Sequence, residues 1–380
     1  MQIIYPALFF SIVGAGGVYM GSNPRNHPDE LDHILALSQP KLIITSADAL
    51  PTVLDVSAGR GMLSSQVCLL DVSTPQYVTQ LLQSGSLAYP GVIASFLPER
   101  LGKGDYHRHF AHLLAYGEND WVAFNDEAIA KTTPAAMFST SGTGGLPKAA
   151  ILSHHAIVSH HRSIAYDVPY HVTRLMSLPM FHLFGLLWAH LFPVRYGQPL
   201  FVLSRFDLMQ FVAAVHQYQI TETYLVPAMV QKFNQSALPM EQFLASLRYI
   251  GIAGAPIDAA SMREFQSKLH VHASAGQLWG MTETGVAFQN RYGDREEPGS
   301  IGRQTPGYEV RLVGTDGNVV SQDNKPGELY IKGAGVLMAY HGRDDAKDAH
   351  GWFRTGDVAY MKNGRFFIVG RTKDLIKVRG

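Results

Sequence analysis

The sequence predicts an α/β protein, and three observations carry the prediction. Short β-branched or aliphatic runs alternate with amphipathic stretches. A loop rich in glycine and hydroxyls ends on Lys148 directly after one such run, and from about Gly299 the texture changes to short strands joined by hairpin turns. The alternation is that of a wound α/β fold, and the last part reads as a small antiparallel β module.

In chain order, the apolar stretch Tyr5 to Met20 reads as a buried helix. It is a poor export signal or membrane span: no basic residue precedes Arg25, Pro6 sits early, and a span needs about 20 apolar residues. Gly14, Gly16 and Gly17 fail as a dinucleotide fingerprint because Tyr19 stands where the third glycine belongs. Lys41 to Thr45 reads as a strand, and Cys68, inside Gln66 to Leu70, as a buried strand residue. As the single cysteine it forms no intrachain disulfide, which suits a reducing compartment. Ala135 to Phe138 reads as a strand, Phe206 to Tyr218 as a helix, Thr223 to Val226 as a strand, Asp258 to Leu269 as a helix and Val271 to Ala273 as a strand. Tyr308 to Val313, Glu328 to Ile331 and Phe366 to Val369 follow as short strands, with Asp316-Gly317 and Asn363-Gly364 as turns.

Composition narrows the function. The 380 residues are 46% hydrophobic and 16% charged, enough for large cores. Lysine plus arginine equals aspartate plus glutamate at 31 each, so no charge excess points to nucleic acid or an anionic membrane surface. Small-molecule chemistry in the cytoplasm is the expectation.

The strongest local signal is Ser139-Thr140-Ser141-Gly142-Thr143-Gly144-Gly145-Leu146-Pro147-Lys148. Gly142, Gly144 and Gly145 let backbone amides approach phosphate oxygens, the hydroxyls of Thr140, Ser141 and Thr143 donate, and Lys148 adds positive charge. It is not a Walker A loop, since Pro147 takes the place of the second glycine and Ala149 follows the lysine.

This loop resembles the phosphate loop of the adenylate-forming superfamily of acyl-CoA synthetases, luciferases and nonribosomal peptide adenylation domains. Five further segments match in the family's order. Pro179-Met180-Phe181-His182-Leu183-Phe184-Gly185 is similar to its aromatic-histidine stretch, which implies an acyl-site role for His182 and Phe184. Gly251-Ile252-Ala253-Gly254-Ala255-Pro256 resembles the adenine-side loop. Gln277-Leu278-Trp279-Gly280-Met281-Thr282-Glu283 resembles the segment in which an aromatic stacks on adenine, a threonine meets phosphate and a glutamate binds Mg²⁺. Its Leu278 departs from the small residue common there and narrows the acyl pocket, beside which Gly280 and Val286 are placed. Trp352-Phe353-Arg354-Thr355-Gly356-Asp357 resembles the ribose segment, with Asp357 as the hydroxyl acceptor. Gly370-Arg371-Thr372-Lys373-Asp374-Leu375-Ile376-Lys377 resembles the hinge, with Arg371 on the nucleotide and Lys373 at the pivot. The pairs His154-His155 and His160-His161 have no such counterpart and read as partly exposed helix residues.

The resemblance, closest to coumarate–CoA ligase-like and luciferase-like enzymes, implies an acid–CoA ligase working through an acyl-adenylate. Its partners would be ATP, Mg²⁺, coenzyme A and a small carboxylic acid, with no nucleic acid and no membrane span. Lys148, His182, Thr282 and Glu283 form the implied catalytic set. The implied cofactor site comprises Thr140, Ser141, Gly142, Thr143, Gly144, Gly145, Gly254, Ala255, Pro256, Gln277, Trp279, Gly280, Asp357 and Arg371. The implied plan is an α/β region of two wound subdomains over 1–297, a small β-barrel-like module over 298–372, and a hinge over 373–380. Together these correspond to the family's large N-terminal domain, with the small C-terminal domain expected to be absent and the first strands expected to be clipped. Activity is then expected to be impaired. The alternatives are an inactive nucleotide-binding remnant and an adenylating enzyme that loads a carrier protein. A longer form would be cytoplasmic or peroxisomal.

Overall fold

The computed structural model describes residues 4–70, 108–110, 113, 119–140, 147–164, 167–294 and 297–374, and these form three sheets with helices packed between them. The smallest sheet joins Ile43–Thr45, Val67–Leu69 and Arg108–His109 in parallel. The helices Pro28–Ser38 and Leu50–Gly59 cover it through Leu31, Leu35 and Val53, and Cys68 is fully buried in its middle strand.

A four-stranded sheet runs in the order Tyr19–Met20, Pro134–Thr140, Lys148–Ser153, Ala339–Tyr340. The apolar N-terminal stretch is thus shorter as a helix than expected. It is helical over Tyr5–Gly14, and Tyr19 and Met20 form a strand beside Ala136 and Met137. The helix stops because Gly16 takes φ +77° and the amide of Gly17 turns back onto the carbonyl of Ile12.

The largest sheet is a single ladder of twelve strands among the described residues. Its parallel part contains Leu200–Val202, Arg174–Met176, Glu222–Leu225, Tyr249–Ile252 and Ser274–Met281. It continues antiparallel through Gly285–Gln289, Ser300–Gln304, Arg365–Arg371, Phe353–Lys362, Gly327–Gly333, Tyr308–Val313 and Val319–Val320. The β module therefore hydrogen-bonds directly to the α/β sheet, and the boundary expected at 297 falls inside one ladder. Asn363 and Gly364, at φ +51° and +70°, close the hairpin between Phe353–Lys362 and Arg365–Arg371, as the two-residue turn demands.

Helix Ala259–Ser267 begins where Asp258 caps the amides of Ala260 and Ser261. The expected strand at Val271 to Ala273 is absent. The chain turns there through a hydrogen bond from the Ala273 amide to the carbonyl of His270, Val271 is 82% exposed, and the strand starts at Ser274.

Aromatic packing fills the sheet face beneath the site. Trp188 stacks on Tyr224 with centroids 3.9 Å apart, and Phe192 stacks on Trp188 at 4.7 Å. Arg174 and Glu222 form an ion pair at 2.9 Å with side-chain exposures of 0% and 1%, and Tyr170 donates to the second carboxylate oxygen at 2.9 Å.

Candidate active site

The two strands that flank the phosphate loop are antiparallel neighbours, with Thr140 opposite Lys148. Ser141, Gly142, Thr143, Gly144 and Gly145 lie outside the described residues. Thr140 is buried, and His33 donates to the carbonyl of Pro147 at 2.8 Å, fixing the base of the loop. The ammonium of Lys148 lies 4.7 Å from the ring centre of Tyr340.

Tyr340 was not singled out by the sequence, yet it links two of the residues that were. Its hydroxyl donates to Glu283 Oε1 at 2.8 Å, while the amide of Leu337, on the same segment, donates to the Glu283 carbonyl at 2.8 Å. Glu283 is 5% exposed, and burial pushes its pKa up against the opposing pull of the Tyr340 bond, Lys148 and Arg371. Among the described residues Glu283 is in no ion pair, so its carboxylate could hold a hard cation. Among the described residues no three His, Cys, Asp or Glu side chains gather into a metal-ligating group.

The expected ribose acceptor sits one step away. Asp357 pairs with Arg371 across neighbouring strands, and its Oδ1 lies 3.2 Å from the Arg371 guanidinium. Its Oδ2 accepts the indole N–H of Trp279 at 3.0 Å. Burial raises the Asp357 pKa, partly offset by Arg371 and Trp279. Trp279 stands edge-on to Phe288, with centroids 5.6 Å apart. Lys148, Tyr340 and Glu283 thus make one connected set and Arg371, Asp357 and Trp279 a second, and the charge of Arg371 is felt at Glu283.

The remaining expected residues lie on other turns and strands. Gly254, at φ +91°, and the exposed Ala255 and Pro256 turn the chain after Tyr249–Ile252. Gly280 is exposed, Thr282 is half-buried, and the Gln277 side chain points to the Ser300 carbonyl at 3.4 Å. His182 is exposed and starts the short helix Leu183–Gly185, which packs against the strand that carries the buried Val286. Phe184 meets Tyr224 edge-on at 5.7 Å. Leu278 is buried, and both it and Tyr224 crowd the space where a Cβ on Gly251 would stand. Lys373 is exposed in the turn after Arg365–Arg371, and residues 375–380 of the expected hinge lie outside the described residues.

The histidine pairs on helix His154–Ser163 correct one expectation. His160 is not partly exposed; it is 1% exposed, and its Nε2 bonds the carbonyl of Gly335. Burial pushes its pKa down to about 4, so the ring is neutral near pH 7. Nothing local marks it: its neighbours lie 125 and 175 residues further along, at Gly285 and Gly335.

The fold is found in other proteins of known structure. The structure superposes on ATP-bound MatB from Rhodopseudomonas palustris with a TM-score of 0.77 at 23% identity, covering 99% of this chain and 68% of that one. In sequence, the chain is 54% identical to a nicotinic acid-CoA ligase of Penicillium canescens over its whole length, covering 68% of that protein. It is 51% identical to a nicotinic acid-CoA ligase of Aspergillus fumigatus, covering 65% of it. The chain thus spans about two thirds of the length of these curated relatives. The AMP-binding enzyme family matches residues 2–341, and the chain belongs to it, a member of the adenylate-forming superfamily.

Among the described residues, no helix is long and apolar enough to cross a membrane.

Proposed function

We propose that this protein activates a compact aromatic or heteroaromatic carboxylic acid with ATP and passes it to coenzyme A. Two contact sets carry the proposal: Lys148 and the buried carboxylate of Glu283 meet at Tyr340, and Asp357, the hydroxyl acceptor, is held by Arg371 and Trp279. In the first step the substrate carboxylate attacks the α-phosphorus of ATP, the bond to the bridging oxygen breaks, and pyrophosphate leaves. Proton transfer is not needed, so the protein's work is alignment and charge neutralisation. Lys148 and Arg371 supply positive charge, Asp357 accepts the ribose hydroxyls, and Trp279 offers its face to the adenine. Glu283 would hold Mg²⁺, which when bound screens the polyphosphate charge. In the second step the CoA thiol, giving up its proton to solvent, attacks the acyl carbonyl, the thioester forms, and AMP leaves with the electron pair of the cleaved bond.

The acid class rests on two supports. The relatives named for nicotinic acid are more than half identical to this chain. Leu278 and Tyr224 also close the space over Gly251, which favours a short ring over a long chain. The test is pyrophosphate release from ATP with nicotinate, benzoate and octanoate, followed by product mass. Ring-acid-dependent release with a CoA thioester is expected. ATP binding without release for any acid would leave a nucleotide-binding protein, and a product found only on a carrier protein would replace CoA as acceptor.

A further inference from the structure

We propose that His160 is a positioning residue for Glu283, acting through the segment that runs from Gly335 to Tyr340. A backbone carbonyl only accepts, so the bond from His160 Nε2 to the Gly335 oxygen fixes the proton on Nε2 and leaves Nδ1 bare, with no partner among the described residues. The ring is wedged between two glycines. A Cβ on Gly285 would lie 2.8 Å from its Cδ2 and Nε2, and one on Gly335 would lie 2.6 Å from its Cδ2. Gly285 closes the turn that carries Glu283, and Gly335 opens the segment that carries Tyr340.

From that anchor the segment reaches Glu283 twice, once at its carbonyl from Leu337 and once at Oε1 from Tyr340, both at 2.8 Å. Its backbone also joins the strand after the phosphate loop, through Met338 to Ile151 and His341 to Ala149, each at 2.8 Å. The placement of Gly335 therefore decides which carboxylate oxygen of Glu283 stays open. Tyr308 supports the same node from the β module, donating to the carbonyl of Thr284. Without the imidazole donor the Gly335 carbonyl is buried and unpaired, and the segment shifts to find water.

The inference rests on reading Glu283 as the cation-holding carboxylate, and the experiment separates the two. ATP affinity is measured by calorimetry with Mg²⁺ and with excess chelator, for the unaltered chain, His160→Gln and His160→Leu. Glutamine keeps a donor of similar reach, so His160→Gln should stay within about twofold. His160→Leu should lose about tenfold with Mg²⁺, the size of one hydrogen bond to a charged network, and less than twofold without it. Gly335→Ala, whose added Cβ would meet the Tyr308 hydroxyl as well as the His160 ring and so pushes the segment off both, should give the same Mg²⁺-specific loss and serves if the leucine variant does not fold. Equal loss with and without Mg²⁺, no loss in either variant, or failure of glutamine to restore affinity overturns the inference. An unaltered chain that binds no ATP under either condition overturns the functional reading, and the inference falls with it.

Discussion

The indole N–H of Trp279 donates to Asp357 Oδ2 at 3.0 Å, joining the residue proposed to face adenine to the residue proposed to hold the ribose. On that proposal the tryptophan does two things at once: its ring is the platform and its nitrogen aims the carboxylate. Phenylalanine would keep only the platform.

Asp357→Ala should weaken ATP binding about tenfold, the scale of charge-assisted hydrogen bonds, and should barely affect 2′,3′-dideoxy-ATP, which lacks the hydroxyls. Trp279→Phe should fall between the unaltered protein and Asp357→Ala. Calorimetric titration with both nucleotides decides the matter; equal losses for the two ligands would remove Asp357 from the ribose.

Glu283 links function to stability through pH. Its pKa is raised in the fold by burial, so the folded protein holds a proton more tightly than the unfolded chain does. The stability penalty is absent below the ordinary glutamate pKa and grows as pH rises through the raised folded value. Glu283→Gln should therefore melt higher than the unaltered protein at neutral pH, by on the order of 1–2 °C, and the same at pH 4 or below. It should lose Mg²⁺-dependent ATP binding throughout. Thermal scans from pH 4 to 8 check the sign.

The ion pair of Arg174 and Glu222 is buried at both ends and ringed by Trp188, Phe192 and Tyr224. Glu222→Leu leaves the guanidinium buried without its counter-charge and should destabilise by about 3–5 kcal/mol. Urea unfolding should show this as a lower midpoint at unchanged slope.

Leu278→Ala should open the space beside Gly251 and let longer or bulkier acids in, at a stability loss of about 2–5 kcal/mol. Pyrophosphate release with octanoate, compared with nicotinate, reads the change. An unaltered preference would place the acid elsewhere.

How far the sequence revealed all this depended on distance along the chain. Tyr308 to Val313 forms the strand its alternation predicts, and Asp258 caps its helix, because both signals are local. Asn363-Gly364 makes its hairpin for the same reason. Val271 misled because one β-branched residue outweighed the turn around His270. Tyr340 and His160 were missed because their partners lie 57 and 175 residues away, at Glu283 and Gly335, and no periodicity records such pairings. The β module looked separate because its turns and strands differ in texture from the α/β part. Its hydrogen bonds to that part run through Ser300–Gln304, a strand with no marked pattern.

Leu278 and Trp279 are adjacent on one strand, so their side chains point to opposite faces of it. On the proposed assignment Leu278, against Gly251, faces the acid and Trp279, against Asp357, faces the ribose. A lineage could exchange one acid for another by altering a single side chain while the neighbour that serves the nucleotide stays untouched. Diversification of substrate under a constant energy source is built into the alternation of one strand.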